Sequence, residues 1–290
     1  MGLLDDAVGQ SLRLSRQRLE EHFDADVLAY YGEIATEWLP WFRGNLERLG
    51  EIGRKERLLI VLNTPGGQVE AVERMVEMIR RWYQEVYFLV PNLAMSAGTI
   101  FCMSGEKIFM DYSSALGPID PQVQSKDGTW VPALGYLDKF AEFVDKSSKN
   151  QLTGVEFAIA QSHDLAVLRR YEQARDLSVS LLKQWLVAYK FKTWTHHRSC
   201  SSRKGQEVTL EEKQNRAEEI ARQLGDNGKW HSHGRMIGIE TLRRQLRLDI
   251  EDFTDDRELR TLVNSYHDLI VDYVQRQNWR LFVDCRGVNG

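Results

Sequence analysis

The chain has 290 residues, 42% hydrophobic and 28% charged, with a formal net charge of −4. That is enough apolar material for a sizeable core, and no global basic field points to nucleic acid. Three cysteines, Cys102, Cys200 and Cys285, are too few and too widely spaced for a disulfide framework, and fit a reducing compartment.

The first residues carry acids early and no apolar run of signal-peptide length, and no stretch reaches 18 apolar residues. A cytoplasmic protein without a membrane span is expected. Residues 3–23 carry a leaky helical pattern, read as an N-terminal arm over 1–24. Residues 25–34 are rich in strand formers. Residues 36–53 read as a helix with Pro40 in its first turn. "RLLIVLN" (57–63) is a continuous apolar run, the pattern of a strand buried on both faces. It ends at "TPGGQ", and a helical stripe follows over 68–82. "EVYFLVPN" (85–92) predicts a second buried strand, Ser96 opens a short helix to Met103, and "EKIFMD" (106–111) predicts a third.

Strand and helix therefore alternate over the first 111 residues, which predicts a mostly parallel sheet with covering helices. Ligand sites in such sheets lie beyond the carboxyl ends of the strands. Both "TPGG" and "AMSAG" fall at that edge. Further on, 155–192 reads as one long helix and 193–207 as a polar loop. Helices are expected over 209–224, 239–248 and 256–276, with a terminal strand in "WRLFVD".

The Pro-Gly-Gly turn lets backbone N–H groups approach a ligand, which suits an oxyanion; it is also an ordinary turn sequence. A serine at a strand-to-helix junction has free amides beside it, which suits a nucleophile; it also suits a plain N-cap. The two together, followed by "SSALGPIDPQ", are more specific.

"NTPGG" (63–67), "VPNLAMSAGT" (90–99) and "KIFMDYSSALGPIDPQ" (107–122) resemble the Clp-protease/crotonase superfamily. Within it the chain is most similar to the serine dehydrogenase proteinase family, related to signal peptide peptidase A and the NfeD-type serine peptidases. The resemblance is firm over 57–140, and "KWHSHGR" with "ETLRRQLRLDI" is similar to the family's C-terminal part. It implies an α/β fold, a Clp/crotonase-type repeated β-β-α spiral with a helical C-terminal extension. The peptidase domain would span 25–255 and a C-terminal helix and tail 256–290. It also implies a serine peptidase acting on protein or peptide, with Ser96 as nucleophile. Gly67 and Ala97 would offer N–H groups to the oxyanion, and Gly66 would shape the turn.

Clp proteases place a histidine one strand beyond the serine. The matching stretch here, "GPIDPQVQ", has none, which argues against a triad of that arrangement. Related peptidases use a lysine whose amine becomes a base when burial lowers its pKa. Of Lys126, Lys139, Lys146 and Lys149, only Lys139 has apolar neighbours, Leu137, Phe140 and Phe143. Lys139 is the expected base, and pairing with Asp138 in solvent is the bland alternative. His163 beside Asp164 ranks lower and reads as an exposed helix residue.

His196, His197, Cys200, His231 and His233 could bind zinc, but the spacing lacks a second cysteine pair, and a structural or substrate-facing loop is the favoured reading. No metal or cofactor is expected. Two rival functions stand: an acyl-CoA enzyme of crotonase type, and a dormant assembly or partner-binding module. Homo-oligomers are expected from the resemblance and from the arm and the 155–192 helix, with a regulatory protein partner possible in principle.

Overall fold

The structure is a computed structural model describing residues 2–52, 55–124, 130–197 and 203–287. Helix α1 (Leu3–Phe23) leads into β1 (Asp26–Gly32). A 3₁₀ turn over Thr36–Trp38 opens α2 (Leu39–Glu51), with Pro40 in the first turn as expected. Then come β2 (Arg57–Asn63), α3 (Val69–Trp82), β3 (Glu85–Val90), β4 (Leu93–Ala94), α4 (Ala97–Cys102), β5 (Lys107–Met110) and β6 (Ala115–Leu116). The hairpin β7 (Gln122–Gln124) and β8 (Trp130–Pro132) precedes α5 (Ala133–Ser148), α6 (Gly154–Gln161) and α7 (Leu165–Trp185). The rest is α8 (Leu210–Leu224), α9 (Asn227–Trp230), β9 (Ile237–Gly238), α10 (Ile239–Arg244), β10 (Glu251–Asp252), α11 (Arg257–Gln277) and β11 (Leu281–Cys285).

The main sheet runs β10-β5-β3-β2-β1-β11, parallel except for β11, which lies antiparallel on β1. Its central strands β1, β2 and β3 are buried on both faces, as the continuous apolar runs require. In β2, Leu58, Ile60 and Leu62 face the cluster under α2, α3 and α4, while Leu59 and Val61 face the cluster under α1 and α11. A second sheet, β4-β6-β9, continues from the carboxyl end of the first. The alternating parallel strands and the second small sheet are those of a Clp-type α/β fold with helical additions. No described helix is long and apolar enough to cross a membrane.

Three details differ from the sequence-based expectations. The helix over 155–192 is broken: α6 ends at Ser162, and the Asp164 carboxylate accepts the Ala166 N–H to start α7 afresh. After Trp185 the chain winds into one π turn, Leu186–Lys190. The helix over 239–248 stops at Arg244, and Arg247 turns left-handed at φ 46°. The N-terminal helix packs on its own chain: Arg16 pairs with Asp284 of β11, and the Tyr273 hydroxyl of α11 donates to Asp5.

Candidate active site

Two loops at the carboxyl end of the main sheet are zipped together. The Thr64 N–H donates to the Leu93 carbonyl and the Met95 N–H to the Thr64 carbonyl, each at 3.0 Å. The buried Thr64 hydroxyl accepts the Gly66 N–H at 3.0 Å, which fixes the turn. Gly66 and Gly67 both have positive φ, 106° and 142°. A Cβ on Gly66 would come within 2.9 Å of the Ser96 Cβ, and one on Gly67 within 2.0 Å of the Ile34 carbonyl oxygen. Glycine is required at both by close approach as well as by conformation.

Ser96 is the N-cap of α4, at φ 51° and ψ −115°, a conformation that side-chain-bearing residues avoid. Its hydroxyl makes no capping bond, so the plain N-cap reading fails. The first two helical bonds, Thr99 N–H and Ile100 N–H, both go to the Ser96 carbonyl. Among the described residues, the Ala97 N–H donates to no backbone carbonyl. Neither does the Gly67 N–H. The bridge between Gly67 and Ile34 uses the Ile34 N–H on the Gly66 carbonyl and the Gln68 N–H on the Ile34 carbonyl, leaving the Gly67 N–H on the other side of its strand. Strain held at a polar residue against a glycine turn is a feature of functional sites. Ser96→Gly should therefore remove the hydroxyl yet raise stability by about 1 kcal/mol. A melting temperature equal to or below that of the parent would contradict this.

The next strand end is tied to the same place. The buried Thr99 hydroxyl lies 2.8 Å from the Ala94 carbonyl and 2.9 Å from the Gly117 carbonyl, and accepts the Gly117 N–H at 2.9 Å. Gly117 also packs on Met95, where a Cβ would meet the Met95 side chain at 2.7 Å. One hydroxyl thus holds the first turn of α4 against the segment leaving β6. Thr99→Val should slow any reaction of Ser96 about tenfold or more, with Thr99→Ser restoring most of it. Equal rates in both variants would show that the hydroxyl positions nothing.

That segment leads to Asp120. Its side chain is 1% exposed and lies 2.9 Å from Nδ1 of His233, which is 24% exposed. The pairing follows from register. β6 and β9 run antiparallel with Leu116 opposite Ile237, and four further residues along each bring Asp120 opposite His233. β4 runs parallel to β6 with Ala94 beside Leu116, so Ser96, two residues beyond, leaves the same end of the small sheet. His233 sits in a turn closed by the Gly234 N–H on the Ser232 hydroxyl. Sequence reasoning placed His233 among zinc or loop residues and did not single out Asp120. The available signal was an acid in "GPIDPQ", where the Clp pattern carries its histidine.

Lys139 is on α5 with its side chain 55% exposed, its Nζ 2.8 Å from Glu142 and 5.4 Å from the Phe143 ring centroid. The burial expected around it is not found: Phe140 and Phe143 line one groove with it, but its amine reaches Glu142 in solvent. Lys146 pairs with Glu142 and Glu156, and Lys149 with Asp145; Lys126 lies outside the described residues. A lysine amine that burial pushes down to about 8 does exist, at Lys190. It lines a 740 Å³ cleft with Lys55, Gln84, Glu106 and Asp249, at the amino ends of the strands, opposite the edge that carries Ser96. His163 lies 2.8 Å from the Ile159 carbonyl, and Asp164 is occupied as an N-cap. His196 bridges to Glu207, His197 lies 3.2 Å from Glu212, and Cys200 falls outside the described residues. No cluster of His, Cys, Asp or Glu able to hold a metal forms among the described residues.

The segment that carries Ser96 is similar to known proteins. Residues 53–185, which include the glycine turn, Ser96 and Asp120, match the model of the family described as ClpP-like SDH-type serine proteinase. Two proteins of Methanocaldococcus jannaschii are similar in sequence. One is 38% identical over 64 residues, covering 22% of each chain, and the other 24% identical over 155 residues, covering 52% of this chain and 50% of the relative. The chain thus matches half or less of the length of these curated relatives. Among solved structures, a variant of the 1510-N membrane-bound stomatin-specific protease is 13% identical, covers 78% of this chain and 77% of its own, and has a TM-score of 0.45. The ClpP catalytic domain from Plasmodium falciparum is 16% identical, covers 50% and 79%, and has a TM-score of 0.29. Over residues 53–185, the segment that carries Ser96, the chain is similar to the ClpP-like SDH-type serine proteinases.

Proposed function

We propose that the protein is a serine peptidase in which Ser96 is the nucleophile, His233 the general base and Asp120 its orienting acid. The observation that carries the reading is Ser96 itself, strained, uncapped and pressed against Gly66 at a helix start. A structural serine has no use for that conformation, and neither does a crotonase-type acyl-CoA site, which has no attacking serine.

The chemistry follows from the groups present. The Ser96 Oγ attacks the carbonyl carbon of a peptide bond as its proton passes to Nε2 of His233. Asp120, on Nδ1, fixes the tautomer and stabilises the imidazolium. The Gly67 and Ala97 N–H groups receive the charge that forms on the carbonyl oxygen. The C–N bond then breaks, and the leaving amine takes the proton from His233. Water, deprotonated by the same imidazole, cleaves the acyl-enzyme and releases the carboxylic acid.

A second base, Lys139, is supported by the resemblance to lysine-dependent peptidases and by its place on an apolar groove. It would have to leave Glu142 and lose its solvent to act. The exposed ion pair weighs against it, whereas His233 is already held by the buried Asp120 carboxylate.

Hydrolysis of an unfolded protein substrate by the purified chain, and its loss in Ser96→Ala, tests the reading. Release of new amino termini at the same rate by Ser96→Ala would overturn it.

A further inference from the structure

The cleft at the amino ends of the main-sheet strands holds a buried lysine that the peptidase chemistry does not use. Lys190 closes the π turn after α7 and is 8% exposed. Such turns are rare and recur at functional sites. The Lys190 amine donates to the Glu106 carbonyl at 3.4 Å, at the outer limit of a hydrogen bond. Among the described residues it forms no ion pair. An ammonium has three N–H donors, and one taken from water with a single long contact is unfavourable. Burial accordingly pushes Lys190 down to about 8. A bound anion would supply what the amine lacks.

Most charges around the cleft are matched within the chain. Arg80 lies over the Tyr189 ring, 3.7 Å from its centroid, and pairs with Glu106 at 3.0 Å. Lys107 pairs with Glu251, Lys55 with Asp24, and Glu85 with Arg57. Three cations that line the cleft, Arg81, Lys190 and Lys192, form no ion pair among the described residues, and neither do two acids, Glu56 and Asp249. The cleft holds 740 Å³, a volume in the range of small-molecule sites.

We propose that this cleft binds a small molecule through a phosphate group, with Lys190 as the buried counter-charge and the exposed Arg81 and Lys192 beside it. A phosphate monoester offers three terminal oxygens to the three unmatched cations, and a carboxylate offers two. Glu56 and Asp249 leave the unmatched groups with an excess of one positive charge. That balance suits one phosphate group and repels a polyphosphate chain or nucleic acid.

Isothermal titration calorimetry of the whole chain with inorganic phosphate, against sodium chloride of equal ionic strength, tests this. The parent should bind one phosphate, and acetate should bind at least tenfold more weakly. Lys190→Met keeps the apolar stem and removes the charge; it should weaken phosphate binding about 100-fold. Without phosphate it should melt no lower than the parent, since an unmatched buried charge is gone. Arg81→Ser with Lys192→Ser changes exposed side chains only and should weaken binding about tenfold, which keeps the test decisive if Lys190→Met does not fold. A parent that does not bind phosphate would overturn the proposal. So would parental affinity in Lys190→Met or in the double variant, or acetate bound as tightly as phosphate.

Discussion

His233→Ala and Asp120→Asn should each slow fluorophosphonate labelling of Ser96 by about 10³-fold or more, whereas Lys139→Ala should change it by less than about tenfold. The difference comes from what each group touches. His233 is held by a buried carboxylate at 2.9 Å, at the sheet end that Ser96 also leaves. Lys139 spends its charge on Glu142 in solvent. Asp120→Asn is the sharper of the two histidine-side variants, because it keeps the volume of a buried side chain while removing the charge. Combining His233→Ala with Asp120→Asn should cost little beyond either alone, as expected of groups that act as a unit. Full labelling in His233→Ala with loss in Lys139→Ala would reverse the assignment and restore the lysine base.

The second large effect is at the glycine turn. Gly67→Ala drives a methyl group to within 2.0 Å of the Ile34 carbonyl oxygen, at a φ of 142° that alanine rarely adopts. Backbone on one side and a conformational penalty on the other leave nothing soft to yield. A destabilisation of about 3 kcal/mol or more is expected, with loss of the bridge to Ile34 and of labelling. Gly66→Ala differs in kind. Its methyl would strike the Ser96 Cβ at 2.9 Å and the Met95 carbonyl oxygen at 2.8 Å, so the damage falls on the nucleophile's own loop. Labelling should fail there at a smaller stability cost than in Gly67→Ala. Chemical denaturation of the two variants checks the ordering. Gly67→Ala with parental stability would mean that the turn is not held as described.

These effects show which parts of the molecule were legible in the sequence. Strands β2 and β3, helix α3 and the serine junction were, because each is a local signal. "RLLIVLN" and "EVYFLV" can only be strands buried on both faces, and the loops after such strands share one edge. Gly66 and Gly67 were legible for the same reason, since a turn directly after a buried strand has few residues that fit. The His233–Asp120 pair was not. Its members are 113 residues apart. They meet through β6 and β9, strands of two residues each that leave no periodic trace. The apolar neighbours of Lys139 were legible, since Phe140 and Phe143 do share a groove with it, but its exposure and its pairing with Glu142 were not. The break before α7 came from Asp164, whose capping role is visible only once the backbone turns there.

The central claim is that Ser96 is an activated nucleophile, and site mapping of a fluorophosphonate adduct tests it most directly. Native chain is treated with the reagent at neutral pH, digested, and the modified peptide sequenced by mass spectrometry, with heat-unfolded chain alongside. The account predicts a single adduct on Ser96, within "VPNLAMSAGT", formed in the folded chain and absent from the unfolded one. A folded chain that stays unlabelled, or that carries the adduct on any other serine, would contradict it.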